Sequence, residues 1–170
     1  MRNWGIVLLT LLALLSPPAR ADCFKTCVTS PDGIATIQFF EGFNPYIYKD
    51  VAGFDTIGYG HLVLKNEVIA QPLLGQAAID LLRYDLRRTE RGLNTGLGLP
   101  LRQYRFDALS SFAFNVGVPA CTGSTLFRFV NQGRFDAAAG QFPRWINAGG
   151  KPSKGLIVRR KAEQNLFVGQ

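Results

Sequence analysis

Polar and apolar positions just after residue 30 repeat with the period of a helix: Ile34, Ile37, Gln38 and Glu41 fall at i, i+3, i+4 and i+7, on one face. Ser30-Pro31-Asp32 supplies the start, with a capping hydroxyl, a proline for the first turn and an acid beside the positive end of the dipole. Gly42 supplies the stop, which places Glu41 in the last turn. From Pro45 the period falls to two, as Tyr46, Tyr48 and Asp50 alternate with Ile47 and Lys49, and this predicts a strand. A hairpin centred on Gly53 would make Asp50 and Thr56 cross-strand neighbours on one face and turn Asp55 away from Thr56. From Gln76 the helical period returns in Ala78, Leu82, Leu86, Thr89 and Leu93, predicting a long connecting helix over about 76–92. After a break at 96–100, residues 102–116 carry Phe106, Leu109, Phe112, Ala113, Phe114 and Val116, too apolar for a surface helix and therefore the core of a second lobe. Short helical stretches over 125–131 and 134–141, a loop at Gly149-Gly150 and Pro152, and a helix over 156–167 complete the pattern.

One segment stands outside it. Arg2 gives a basic start, residues 4–15 form an apolar run broken only by Gly5 and Thr10, and Pro17-Pro18 ends the run. Ala19-Arg20-Ala21 has the small-x-small form that export peptidases cut, so residues 1–21 read as a secretory signal, with a retained signal-anchor as the alternative. The run is shorter than the roughly 20 apolar residues that a stable spanning helix needs. Residues 22–170 are then expected as one domain, and an apolar fraction of 47% with 18% charged excludes a mainly disordered chain.

Export changes the meaning of charge and cysteine. Without Arg2 and Arg20 the net charge is +5, divided as −4 over residues 22–82 and +9 over 83–170. A cationic half outside the cytoplasm meets anionic cell envelope, so a nucleic-acid partner is not expected. Cys23, Cys27 and Cys121 enter an oxidising compartment, and the simplest count is one disulfide and one thiol left over, with the pairing open. With one histidine and no recurring cysteine pair, no metal site and no cofactor are expected.

The candidate chemistry lies between residues 41 and 61. Glycoside hydrolysis needs one carboxyl that gives a proton to the leaving oxygen and a second, ionised group that stabilises charge, activates water or attacks. Glu41 stands where a helix dipole disfavours negative charge, as suits the acid; Asp50 on a polar hairpin is placed to stay charged, and the Thr56 hydroxyl can hold a water against it. His61 invites a base role, but a lone histidine beside two carboxylates reads as structural.

Glu41, Asp50 and Thr56 with Thr56-Ile57-Gly58-Tyr59-Gly60-His61 follow the pattern E-x8-D-x5-T and its T-I-G-x-G-H tail. This string resembles the phage-type lysozymes, or endolysins, of glycoside hydrolase family 24. The resemblance continues through residues 106–117, Ser124-Thr125-Leu126, Arg144-Trp145, Ala148-Gly149-Gly150, Gly155-Leu156 and Arg159-Arg160. It implies an α+β, two-lobed lysozyme-like fold: a small antiparallel hairpin sheet in a first lobe of about 31–75, a mainly helical second lobe of about 93–170, and a cleft between them. It implies peptidoglycan as substrate, cut between N-acetylmuramic acid and N-acetylglucosamine with net inversion, Glu41 as acid and Asp50 with Thr56 directing water. His61 with Asp85 is implied as a structural ion pair; Asn115, Arg144, Trp145 and Arg159 are expected along the cleft, with core packing the competing role for Asn115 and Trp145. The implied partners are glycan strands, the host Sec export machinery and a phage holin, with the chain a monomer released into the host periplasm, transiently membrane-tethered if the leader acts as an anchor. A lytic transglycosylase, or a cationic wall-binding or membrane-disrupting protein without catalysis, are the competing readings.

Overall fold

The computed structural model describes residues 22–170; residues 1–21, expected as a signal or signal-anchor, lie outside them. The first helix, α1 (Pro31–Glu41), begins as its sequence predicts. The Ser30 hydroxyl accepts from the Gly33 amide, and it also donates to Asp107 Oδ2 at 2.6 Å while the Ser30 amide donates to Asp107 Oδ1 at 2.8 Å. Asp107 belongs to α3 (Gln103–Val116), so the cap of one helix is bolted to the side of another. Position 33 must stay glycine for this, since a Cβ there would lie 2.7 Å from Asp107 Oδ1. The helix stops at Gly42, whose φ of +71° is open to glycine.

The chain then forms an antiparallel sheet in the order β2 (Asn44–Lys49), β3 (Asp55–Gly58), β4 (His61–Leu62). Its register differs from the expectation. Tyr48 faces Thr56 and Lys49 faces Asp55, so Asp50 stands opposite Phe54 and accepts nothing from Thr56 directly. The reason is the loop. Gly53 does not centre the turn but takes its third place at φ +86°, closing a loop of Val51, Ala52 and Gly53 in which the Gly53 amide donates to Asp50 O. The outward turn of Asp55 is as expected, since it pairs with Lys49 at 2.9 Å. β3 is the central strand, where Ile57 packs with Leu73 and Ala78, and β2 is an exposed edge.

In α2 (Gly75–Gly96) the stripe Ala78, Leu82, Leu86, Thr89 and Leu93 is buried, as its period requires. The helix runs past its expected end because Gly92 is a packing contact: a Cβ there would lie 2.3 Å from Val118 Cγ1. Around α3 gather α4 (Val118–Thr122), α5 (Thr125–Asn131), α6 (Phe135–Ala139) and α7 (Lys154–Val168), burying Phe106, Leu109, Phe112, Phe142 and Phe167 in one cluster. The expected loop at Gly149-Gly150 is a tight hairpin joining β6 (Asn147–Ala148) to β7 (Lys151–Pro152).

Strand β1 (Asp22–Cys23) pairs with β5 (Leu101–Arg102), and Cys23 bonds to Cys27 across a non-helical turn with Cα atoms 5.2 Å apart. This answers the open pairing. Cys121 keeps its thiol, buried in the helical core, where desolvation raises its pKa to about 12.

His61 ties the sheet to α2. Nδ1 faces both Asp85 oxygens at 2.9 and 3.0 Å, and Nε2 faces both Glu67 oxygens at 3.2 Å. Donation from both ring nitrogens makes the ring a cation between two carboxylates. Burial opposes that charge, but hydrogen bonds and charges from Asp85 and Glu67 outweigh it and raise the pKa above 6.5. Burial also raises Asp85, and the Leu64 amide with His61 lowers Glu67. With its folded pKa raised, His61 contributes stability that is complete below pH 6.5 and is lost as pH climbs through the folded value. Asp85→Asn is therefore expected to cost about 1.5–3 kcal/mol in the acidic range. Denaturant melts from about pH 5 to 9 check this: the deficit narrows as pH rises, and a pH-independent deficit would contradict the cation.

Candidate active site

Glu41 ends α1 with its carboxyl half-buried, and the residue that holds it comes from the far end of the chain. Arg159 of α7 donates from Nη1 to Glu41 Oε1 at 2.8 Å. Its Nε donates to Glu163 Oε1 at 3.1 Å and its Nη2 to the Ser111 carbonyl at 3.1 Å, so the whole fork is used. Arg159, expected to line the cleft, is only 4% exposed and fixes the Glu41 carboxyl from below. Arg159 thus occupies Oε1 of Glu41 and not Oε2.

Asp50 and Thr56 bracket the same peptide unit. Asp50 Oδ1 accepts from the Ala52 and Phe54 amides, both at 2.9 Å, and the Phe54 carbonyl accepts from the Asp50 amide at 2.9 Å and the Thr56 hydroxyl at 3.3 Å. Oδ1 is spent on the turn, which leaves Oδ2. The buried Thr56 hydroxyl donates to backbone and keeps its lone pairs to accept from a water. Asp50 and Thr56 lie diagonally across the ladder, a separation on the order of 7–8 Å between such positions.

The remaining expected residues divide. Phe43 stacks on Tyr59 with centroids 4.9 Å apart, forming an aromatic wall beside Glu41. Asn115 is exposed at the end of α3 and accepts from Arg160 Nη2 at 2.7 Å. Trp145 packs edge-on against Phe112 at 5.2 Å, so part of it is core, yet with Arg144, Gln141 and Thr125 it lines a separate hollow of about 380 Å³. His61 and Asp85 form the expected pair.

Two participants were not singled out from sequence. Glu67 completes the clamp on His61. Glu163, with no solvent exposure, joins Arg159, Arg160 and the Ser111 hydroxyl. Its one sequence signal is an acid in the last helix in line with the apolar Leu156 and Phe167 rather than on the polar face. Among the described residues no cluster of His, Cys, Asp and Glu could hold a metal.

The phage lysozyme family profile matches residues 38–163. The endolysin of Bacillus phage PZA is 43% identical over 143 residues, covering 81% of this chain and 54% of its own. The SAR-endolysin of Enterobacteria phage P21 is 33% identical over 141 residues, 83% of each chain. Among solved structures, the muramidase domain of SpmX from Asticaccaulis excentricus superposes with a TM-score of 0.76 at 33% identity, over 85% of this chain and 99% of that one. The chain spans about half the length of the Bacillus phage PZA and B103 endolysins, 54% and 53%. With a profile that takes in Glu41, Asp50, Thr56 and Arg159, and relatives of this identity across four fifths of its length, this chain belongs to the phage lysozyme family.

Proposed function

We propose that this chain is a muramidase, hydrolysing the β-1,4 bond between N-acetylmuramic acid and N-acetylglucosamine in peptidoglycan as an endolysin. The observation that carries the reading is the Glu41 carboxyl, held through Oε1 by a buried arginine with Oε2 left over, one turn of chain from a hairpin that presents Asp50 and Thr56. Glu41 acts as the acid that protonates the leaving oxygen. Asp50, through Oδ2, and Thr56, through its lone pairs, hold and activate the water that attacks the opposite face of the sugar, giving inversion. Retention of both favours hydrolysis over a transglycosylase, which closes the sugar on itself and needs the acid alone. Relatives named endolysins and a neighbour named a muramidase support the same reading. Export belongs to it as well: residues 1–21 act as a signal or signal-anchor, Sec delivers the monomer to the periplasm, and a holin is the accessory partner. Relatives named SAR-endolysins support a membrane stage in delivery.

Clearing of purified sacculi by residues 22–170 tests the activity. Glu41→Gln is expected to reduce clearing about 10²–10⁴-fold, the contribution of a general acid, and the parent's fragments carry hydrated reducing ends by mass. Fragments lighter by one water would assign a transglycosylase, and equal clearing by parent and variant would leave only a cationic binding protein. Arg159→Gln is expected to lower kcat and to cost about 3–5 kcal/mol of stability, because it leaves Glu41 and Glu163 without their shared cation. Arg159→Lys should recover much of the stability but little of kcat, since an ammonium cannot hold three acceptors in a planar fork.

A further inference from the structure

The arginine that holds Glu41 creates a conflict. A general acid must be fixed in place and must also bring its proton to the leaving oxygen, yet a cation in contact favours the ionised form of a carboxyl. Arg159 stands 2.8 Å from Glu41 Oε1 and is only 4% exposed. Its guanidinium lies 5.4 Å from the centre of the Phe40 ring, so its charge is shielded from water by an aromatic face as well as by burial.

A second acid shares that guanidinium. Glu163 is fully buried one turn along α7; its Oε1 accepts from Arg159 Nε at 3.1 Å, and its Oε2 lies 3.1 Å from Arg160 Nε. Burial pushes its pKa up. Against that push, each of its oxygens faces a guanidinium nitrogen that can only donate, and Oε1 also accepts from the Ser111 hydroxyl at 2.8 Å, so the group stands as an anion. The other elements packed around it add no further charge: α3 contributes the neutral Ser111, and α4 contributes Cys121, whose buried thiol keeps its proton up to a pKa of about 12. Arg159 and Arg160 with Glu163 therefore leave one net positive charge beneath Glu41, where the two arginines alone would leave two.

We propose that Glu163 is a positioning residue for the reaction: it neutralises part of the charge of Arg159, so that the arginine can hold the Glu41 carboxyl without driving off its proton. This rests on the muramidase reading, in which Glu41 is the acid, and adds a buried second acid to the working parts of that site.

The test is the pH profile of kcat/KM for release of soluble fragments from purified sacculi by residues 22–170, whose alkaline limb marks loss of the proton from the acid. Glu163→Gln keeps the shape and removes the charge. It is expected to move that limb to lower pH by about one pH unit, with activity below the limb reduced far less than activity above it. Arg160→Gln alone is expected to move the limb upward, and the double variant Arg160→Gln, Glu163→Gln, which removes one charge of each sign, to return it near the parent's position. His61 is held apart by Asp85 and Glu67, and its titration is common to all of these variants. A limb that stays in place in Glu163→Gln, with the rate lowered evenly at every pH, would overturn the proposal and leave Glu163 a structural group. The same displacement in the single and double variants would overturn it too, since loosened packing and not charge would then be the cause. If melts show that Glu163→Gln does not fold, Arg160→Gln against the double variant isolates the same charge, and coincident limbs in those two would count against the proposal as decisively. Absence of fragments from the parent at every pH would instead overturn the muramidase reading, and this proposal with it.

Discussion

A carboxylate with no access to water organises the end of this molecule that carries the candidate site. Glu163 is fully buried, and a charge so placed costs several kcal/mol unless its partners are close and well aligned. Desolvation pushes its pKa up, and Arg160, the Ser111 hydroxyl and Arg159 work against that push. Desolvation likewise lowers the pKa of Arg160, whose Nε lies 3.1 Å from Glu163 Oε2 and whose guanidinium stacks over Phe112 at 4.8 Å. Both arginines and this acid belong to α7, and the bonds that hold α7 to α3 are made at Ser111, whose hydroxyl donates to Glu163 Oε1 at 2.8 Å and whose carbonyl accepts from Arg159 Nη2 at 3.1 Å. What each arginine has left over defines the surface above: Arg159 reaches Glu41, and Arg160 reaches Asn115. The candidate acid is thus positioned by the compensation of a second acid beneath it.

The rest of the sheet-bearing half is tied down by the same economy of buried polar groups. Asp107 satisfies the start of α1 through Ser30 while Gln103 donates to it at 2.9 Å, and His61 links the sheet to α2 through Asp85. The apolar contacts between the halves are modest, Ile34 and Ile37 with Leu82, Leu86 and Phe114. Orientation between the sheet and the helices is therefore set by directional bonds at both ends of α1, with apolar packing filling the space between them.

Charge is segregated along the same boundary. Acidic groups gather in residues 22–82 and basic ones after 83, and α2 is where the two regimes meet. Its buried stripe serves the core while Asp85 faces the sheet and Arg87, Arg88 and Arg91 stay outside. One helix thus supplies a core face, a clamp on the sheet and a cationic outer face.

What the sequence determined by itself is local and periodic. The Ser30 cap, the stop at Gly42 and the stripe Ala78, Leu82, Leu86, Thr89 and Leu93 follow from capping chemistry and a 3.6-residue period, which act over a few residues. The candidate trio was legible because its spacing is carried within one continuous segment, and the single histidine limited what else could act there. The strand register was not, because it turned on whether Gly53 takes the middle or the third place of its loop, and either conformation suits glycine. In sequence Arg159 reads as a cleft residue and Glu163 only falls in line with Leu156 and Phe167, so neither position announces the pair they form. Only the tertiary structure decided that they are buried and that Arg159 spans 118 positions to meet Glu41. The physical reason is that a buried charge is compensated by whatever the fold brings within about 3 Å, and that proximity is a property of packing among α1, α3 and α7, not of any stretch of chain.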